Sequence, residues 1–549
     1  MLAETCSQAA IPTLRFDYPG VGDSLGVPAQ LASIDDLVES AMQAEALLRQ
    51  STGVNEVVFV GQGIGAAVAT LAAAKAKAAG LVLLAPVLRG RDYLRELSLL
   101  GNTVAASIGV KSTGAAHSVA GFDLPKALGD SISALNFSEM NTPPAPKVLI
   151  AARPGRAAEM HFADRLRGLG VDTHITPYAD YEDSLGNPTA ARPPVSVIQS
   201  VTAWIAAQWP GGPPSQRTAH DVDAILRGDG FVERPVRIGN CRTIIGVLCE
   251  PAKPAGAATV LMVNAGGNPH TGWARTSVDH ARALAASGVR SLRIDVSDVG
   301  DCAGPLTPEP VTLYADDQVQ DVLNAVDWLV ENGCGPVVTV GSCSGAYLAF
   351  NAALRSRSMQ DLVLVNQQRF LWVRDGTVEV ATEGVDHYKR RVRTPAKLLQ
   401  RAFAGDIDWP AAGRNLARAA MTLFIGIWRG DQRSLARAAA NGFRQLAALN
   451  VRISVIQTTV TRNHPILDHP KRRAWFGKAG FDLRYVPDAD HAVTPPHARQ
   501  AILEVVRDRA LNPPVSAFGA SAVLSDHIPS KRQQLSRWLG LRRGPEPAR

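Results

Sequence analysis

Short runs of β-branched and aliphatic residues recur along the chain, and glycine-containing turns and helix-forming stretches separate them. The clearest runs lie at residues 57–60, 81–84, 148–150, 258–264, 337–340 and 362–365. Runs of this length predict buried strands, and their alternation with helical stretches such as residues 277–288 predicts a mainly parallel sheet covered by helices on both faces. Two longer extended runs, at residues 231–238 and 242–249, predict an antiparallel pair. The pattern predicts an α/β fold.

The pattern occurs twice. Three segments match in the same order at nearly constant offset: residues 15–24 (RFDYPGVGDS) with 293–302 (RIDVSDVGDC), 57–66 with 337–346, and 81–84 with 362–365. Such a match predicts duplication of a whole α/β domain. The alignment sets Met1 opposite Asp279, so the first copy is truncated and lacks a counterpart of residues 226–278, which include a mid-sheet strand. We expect that the true start lies upstream or that another segment fills the gap.

Composition divides the chain into two lobes. The first copy, residues 1–209, is followed by a linker at residues 210–225 that opens with the proline- and glycine-rich sequence PGGPPS. The second copy covers residues 226–512 and contains a long insertion at about residues 369–420. Residues 513–549 form a basic tail.

Residues 337–346 predict a strand that turns sharply into a helix around Gly341-Ser342-Cys343-Ser344-Gly345. A tight turn of this kind leaves no room for side chains beside its central residue, which explains the two glycines. The following helix N-terminus favours the thiolate form of Cys343, the form that attacks carbonyl carbon. Cys343 is therefore the candidate nucleophile, and the alternative is a buried structural cysteine.

A thiol nucleophile needs a base and a group that orients the base. Residues 481–487 predict the last strand, and His491 follows it in a loop; His497 is the fallback. We predict that residues 421–427 form the preceding strand, which makes Asp431 the orienting acid, with Asp488 as the alternative. Asp490 is adjacent to His491 and is poorly placed to reach the same ring.

The first copy lacks this chemistry. Gly63 stands at the nucleophile position, residues 151–155 contain no acid, and residues 178–193 contain no histidine. We expect this lobe to be inert. The glycines of residues 61–66 also fit a dinucleotide fingerprint, but the acidic residue that should end the next strand is absent, so the repeat explains them better.

Residues 231–512 resemble an α/β-hydrolase, and the thiol at the turn is similar to that of dienelactone hydrolases and some thioesterase-like members. The resemblance implies an oxyanion hole formed by the amide of Ser344 and one from residues 264–268, where Gly267 is preferred and Gly266 and Asn268 are alternatives. It also implies that the insertion is a lid. The lid's basic residues favour an anionic substrate or form a solvated helix face. Similar proteins accompany bacterial exopolysaccharide-export systems.

Composition narrows the partners. Hydrophobic residues make up 46% of the chain, charged residues 19%, and the net charge is +7, without the basic-aromatic platform that binds nucleic acid. The six cysteines form no Cys-x-x-Cys pair, and no histidine cluster has metal spacing, so no metal or cofactor is predicted. No signal peptide or membrane-spanning run is visible, which predicts a cytoplasmic protein. The basic tail is either a contact to a membrane surface or partner, or a solvated terminus.

Two functions follow. The first is an enzyme that cleaves an ester or thioester of a small-molecule acyl substrate, by hydrolysis or acyl transfer, through Cys343, His491 and Asp431. The second is a catalytically silent scaffold in which both lobes bind partners.

Overall fold

Two sheets, one in each half of the chain, form the framework of the protein. The computed structural model describes residues 1–108, 118–185, 191–210, 224–239, 244–302, 304, 306–307, 313–367, 369–370, 431–459 and 470–513. Most of the predicted linker, lid and basic tail lie outside the described residues. The described part holds no helix with the length and apolar character needed to cross a membrane.

The C-terminal sheet has nine strands. In chain order they are β7 (Leu226–Gly228), β8 (Phe231–Ile238), β9 (Ile244–Pro251), β10 (Thr259–Val263), β11 (Ser291–Asp295), β12 (Val337–Ser342), β13 (Asp361–Val365), β14 (Arg452–Thr458) and β15 (Asp482–Val486). Their order across the sheet is β15-β14-β13-β12-β10-β11-β9-β8-β7. The strands from β15 to β11 are parallel, and β9, β8 and β7 continue antiparallel. The predicted parallel sheet and the predicted antiparallel pair are both confirmed.

The N-terminal sheet has four parallel strands: β1 (Val58–Gln62), β2 (Gly80–Leu84), β5 (Lys147–Ala152) and β6 (Asp172–Pro177), in the order β1-β2-β5-β6. This order repeats that of β12-β13-β14-β15. This lobe also contains a short antiparallel hairpin formed by β3 (Ser118–Val119) and β4 (Phe122–Asp123). The repeat read from the sequence therefore corresponds to half of one sheet.

Helices cover both faces of each sheet. The N-terminal helices are α1 (Leu2–Gln8), α2 (Ile34–Thr52), α3 (Ile64–Ala76), α4 (Gly90–Ile108), α5 (Lys126–Ser133), α6 (Ala157–Gly168), α7 (Tyr181–Ser184) and α8 (Val195–Gln208). The C-terminal helices are α9 (Thr276–Ala286), α10 (Asp316–Glu331), α11 (Ser344–Ala353), α12 (Asp431–Ala448), α13 (Pro470–Lys478) and α14 (Pro496–Leu511). Buried residues of α10, α11 and α12 pack on one face of the C-terminal sheet, and those of α9 and α14 pack on the other. This double cover explains why every residue of β10, β11 and β13 is buried.

One repeated segment differs between the lobes. Residues 291–295 form β11, paired with β10 and β9, whereas the matching residues 13–17 form no strand. The repeat alone would place a strand there, but none forms, because the described part of the first copy has neither of the two neighbours that hold β11 in the sheet. In the described part of the chain, no strand pairs with the outer edge of β1, and Val60 is 39% exposed.

The lobes meet through two reciprocal ion pairs. Arg15 of the first copy pairs with Asp301 of the second, and Arg293, the counterpart of Arg15, pairs with Asp23, the counterpart of Asp301. In each copy the aspartate amide also bonds to an aspartate carboxylate of its own motif, Asp17 or Asp295. The two matching motifs thus contact each other in a two-fold manner.

Candidate active site

Cys343 lies at a strained turn between β12 and α11. Its backbone has φ 52° and ψ −113°, a conformation that L-residues adopt rarely. A Cβ atom on Gly341 would lie 2.3 Å from the carbonyl of Gly345, and one on Gly345 would lie 2.3 Å from the carbonyl oxygen of Asn264. Both glycines are therefore required by close backbone approach, as the sequence predicts for a nucleophile elbow.

His491 and Cys343 form a hydrogen-bonded pair. Burial raises the pKa of the Cys343 thiol. The hydrogen bond and charge of His491, together with hydrogen bonds from the Ser344 amide and from Tyr314, lower the pKa by more than burial raises it. The net result is a pKa below the ordinary value of a thiol. The structure thus brings together two of the three side chains that the sequence singles out, although they are distant in the chain.

A buried asparagine holds the His491 loop against the sheet. Asn366, directly after β13, donates its side-chain N–H to the carbonyl oxygen of His491 at 2.8 Å and accepts the amide of Thr458 at 2.9 Å. It joins the carboxyl ends of β13 and β14 to the histidine loop. Asp490 accepts from the amide and hydroxyl of Thr494, at 2.7 and 2.9 Å, which commits this carboxylate to the turn after His491.

The two remaining fallback residues lie at the surface. Asp488 is exposed, and the exposed His497 contacts the carbonyl oxygen of Pro487 through Nε2.

The third side chain, Asp431, is the first residue of α12, and its side chain lies outside the described residues. Residues 421–427, predicted as the strand before the last, also lie outside them. The strand between β13 and β15 is β14, which follows Asp431 in the chain. That part of the prediction was wrong, so Asp431 does not follow the penultimate strand. It begins the helix that precedes that strand.

The loop at residues 264–268 lies against the elbow, as the resemblance implies. The amide of Gly266 donates to the hydroxyl of Ser344 at 2.7 Å, so this donor has a partner within the protein. Gly267 is half-buried, and its amide has no partner in the described part of the chain. The amide of Ser344 faces the Cys343 sulfur. Among the loop candidates, Gly267 keeps an amide that can face a bound carbonyl oxygen, and the Ser344 amide lies beside the sulfur that would attack that carbonyl.

Tyr314 is a site residue that the sequence reasoning missed. It precedes α10, has φ 64°, and hydrogen-bonds to the Cys343 thiol. Its ring packs edge-on against Tyr347 at 5.1 Å, and the Arg369 guanidinium lies 5.4 Å above it. No motif surrounds Tyr314 in the sequence, so only the fold could bring it to the thiol.

The first lobe keeps the shape of the elbow without its side chain. Gly63 has φ 56° and ψ −120°, close to the angles of Cys343, and its amide donates to Leu84 as that of Cys343 donates to Val365. Residue 153, directly after β5, is an arginine paired with the buried Glu159.

A buried polar cluster adjoins the loop at residues 264–268. One possible metal-ligand atom from each of His270, Asp295 and Asp301 lies within 4.8 Å of the other two, a spacing compatible with a metal ion. Both ring nitrogens of His270 are hydrogen-bonded to carboxylates, one from Asp295 and one from Asp23 of the other lobe. The cluster is thus a hydrogen-bond network whose histidine is already engaged.

Two protein-family models match the sequence. The model of an "Alpha/beta hydrolase family" matches residues 260–507, and that of "Serine aminopeptidase, S33" matches residues 1–120. No curated protein matches the sequence.

Solved structures also resemble the chain. A dienelactone hydrolase from Anabaena variabilis is 14% identical, with 51% of this chain and 96% of that chain covered and a TM-score of 0.31. An α/β serine hydrolase homologue from Coxiella burnetii is 11% identical, with 50% and 96% covered and a TM-score of 0.30. The two family models fall on the two lobes, and the protein has an α/β-hydrolase fold.

Proposed function

We propose that the C-terminal lobe is a hydrolase that cleaves an ester or thioester through a covalent intermediate on Cys343. The observation that carries this proposal is the hydrogen-bonded Cys343–His491 pair at a strained elbow, with the Ser344 amide facing the sulfur. The neighbouring Ser344 is 3% exposed and its hydroxyl accepts from the amide of Gly266, so this hydroxyl holds the loop and leaves attack to the thiol.

The chemistry has two halves. The Cys343 thiolate attacks the carbonyl carbon, and the resulting oxyanion is stabilised by the amides of Ser344 and Gly267. As the intermediate collapses, the bond to the leaving alcohol or thiol breaks and His491 donates its proton to that group. His491 then takes a proton from water, hydroxide attacks the thioester on Cys343, and the acid product leaves. An acceptor alcohol in place of water would give acyl transfer.

Asp431 is the proposed group that orients the His491 ring. A helix that leads into a strand of a parallel sheet runs antiparallel to that strand, so it begins at the carboxyl edge of the sheet, where active sites of this architecture lie. The start of α12 at Asp431 is consistent with that place. The basic residues of the lid, together with Arg369 above the Tyr314 ring, support a substrate with an anionic group.

The test is turnover of p-nitrophenyl esters and acyl thioesters by wild type and by Cys343→Ala, combined with intact-mass detection of an acyl group on the protein. We expect turnover and a transient adduct in wild type and neither in the variant. Equal turnover by both proteins would remove Cys343 from the reaction. Absence of turnover on every acyl substrate would favour the scaffold function.

A further inference from the structure

We propose that the N-terminal lobe completes the C-terminal active site: Asp23, acting through His270, positions the loop that carries the second oxyanion-hole amide. Asp23 is a positioning residue in this proposal. The inference rests on the proposed function for its catalytic consequence.

Asp295 fastens both ends of the oxyanion loop. Its Oδ1 accepts the side-chain N–H of Asn264 at 2.8 Å and the backbone amide of His270 at 2.6 Å. Its Oδ2 accepts from Nδ1 of the His270 ring at 2.8 Å. Residues 265–269, including Gly266 and Gly267, lie between these two fixed points. The place of the loop therefore depends on His270.

Asp23 fixes the other side of the His270 ring. Its Oδ2 accepts from Nε2 at 2.6 Å, and its Oδ1 accepts from the fully buried Arg293 at 2.9 Å. Burial lowers the pKa of His270, but Asp23 and Asp295 together raise it to about 10. The ring is thus an imidazolium at neutral pH with both N–H groups donating. Without Asp23, one charged donor that is 7% exposed loses its acceptor.

The catalytic lobe builds the turn that presents Asp23. Arg275, directly before α9, is 9% exposed, and its guanidinium donates to the carbonyl oxygens of Gly22, Ser24 and Gly26 at 2.9, 2.5 and 2.9 Å. A Cβ atom on Gly22 would collide with the Asp17 carboxylate. A turn held through this many backbone carbonyls places Asp23 with little freedom.

A second contact reaches the residues after His491. The β3–β4 hairpin accepts the indole N–H of Trp273 at the carbonyl of Ala120, at 2.7 Å. A Cβ atom on Gly121 in its turn would lie 3.2 Å from the side chain of Thr494. The first lobe therefore contacts the oxyanion side and the histidine side of the site.

Arg15 offers a matched control for a role of Asp23 that is limited to holding the two lobes together. Arg15 pairs with Asp301 in the reciprocal ion pair between the lobes, but it is 71% exposed, and within the described residues no hydrogen bond or ion pair joins it to residues 264–270. Arg15→Ala weakens the joint and leaves the loop in place. Asp23→Asn is nearly isosteric and removes the negative charge that faces the His270 ring.

The experiment compares full-length wild type, Asp23→Asn and Arg15→Ala by three measurements. Binding of an alkyl trifluoromethyl ketone forms a hemithioketal oxyanion on Cys343, so its affinity reports on the oxyanion hole. Alkylation by iodoacetamide forms no oxyanion and reports on the thiolate alone. Hydrogen exchange of peptides covering residues 262–272 reports on the loop itself.

For Asp23→Asn we expect ketone affinity and kcat to fall about tenfold to a hundredfold with KM nearly unchanged. The alkylation rate should stay at the wild-type value, and loop exchange should become faster by about tenfold. Arg15→Ala should match wild type in all three. Asp23→Glu, which restores the charge on a longer arm, should recover part of the ketone affinity and guards against a folding defect of the asparagine variant.

Equal losses in Asp23→Asn and Arg15→Ala, or wild-type ketone affinity and loop exchange in Asp23→Asn, would overturn the inference. Failure of the proposed function looks different: wild type would bind no ketone and turn over no acyl substrate. The exchange comparison still decides in that case whether Asp23 holds the loop.

Discussion

Cys343 and Gly63 adopt nearly the same backbone conformation at matching turns of the two lobes, with φ 52° and 56° and ψ −113° and −120°. One of these residues carries a side chain and the other does not. Holding a non-glycine residue in such a conformation costs about 1–3 kcal/mol. The C-terminal lobe therefore carries backbone strain at Cys343 that the first lobe lacks at Gly63.

This strain predicts a difference between two inactive variants. The free energy of unfolding of Cys343→Gly should be about 1–3 kcal/mol higher than that of Cys343→Ala. Both variants lack the thiol, and only the glycine relieves the backbone strain. Chemical denaturation of the two proteins measures the difference. Equal stabilities would show that the elbow is not strained.

The lowered pKa of Cys343 predicts selective alkylation. Iodoacetamide should modify Cys343 at a pH below the range of ordinary thiols, whereas Cys249 and Cys302, with pKa values raised by burial to about 12 and 11, should stay unmodified there. His491→Gln should shift the rate–pH profile of Cys343 to higher pH, because it removes the main partner that favours the thiolate. Peptide mass mapping across a pH series measures both. An unshifted profile would separate the histidine from the thiol.

Tyr314→Phe should slow acylation while leaving the ring packing on Tyr347 intact. The lost hydrogen bond to the sulfur is worth about 1–2 kcal/mol, or roughly 5- to 30-fold in kcat/KM. Tyr347→Phe is the matched control, since its ring belongs to the same pair. Single-turnover rates with an activated ester provide the measurement, and equal rates in all three proteins would remove the Tyr314 hydroxyl from the site.

Asp431→Asn should lower kcat by at least about a hundredfold if this carboxylate orients His491, because the imidazole would lose its tautomer and its charge partner. Asp490→Asn serves as the control, since Asp490 is occupied by Thr494. Asp468, in the connection that follows β14, is the third variant. A large loss of activity in Asp468→Asn, with near-wild-type activity in Asp431→Asn, would assign the orienting role to Asp468, the carboxylate that follows the penultimate strand β14.

The sequence revealed those parts of the site that depend on local rules. Gly341 and Gly345 are needed by their own turn, and His491 follows a recognisable strand, so pattern alone located them. The sequence does not reveal β14 as a core strand, because its buried positions include the polar residues Ser454, Gln457 and Thr458 and so lack a continuous apolar run. The run at residues 421–427 looked more apolar and took its place in the prediction.

Contacts between distant segments could not be predicted in this way. Tyr314 reaches the thiol only through the path of the chain before α10. Asp23 and His270 are 247 residues apart, and only the folded joint brings their side chains to 2.6 Å. The repeated motif showed that Asp23 and Asp301 correspond, but it gave no sign that each would bond to the other copy.

The reciprocal pairs Arg15–Asp301 and Arg293–Asp23 have the symmetry of an isologous contact, the kind found between identical subunits of a dimer. A dimer of separate chains would dissociate on dilution. Here both halves belong to one polypeptide, so the contact forms at an effective concentration set by the linker and is independent of protein concentration. The joint thus keeps the properties of a symmetric association while its two halves diverge in sequence.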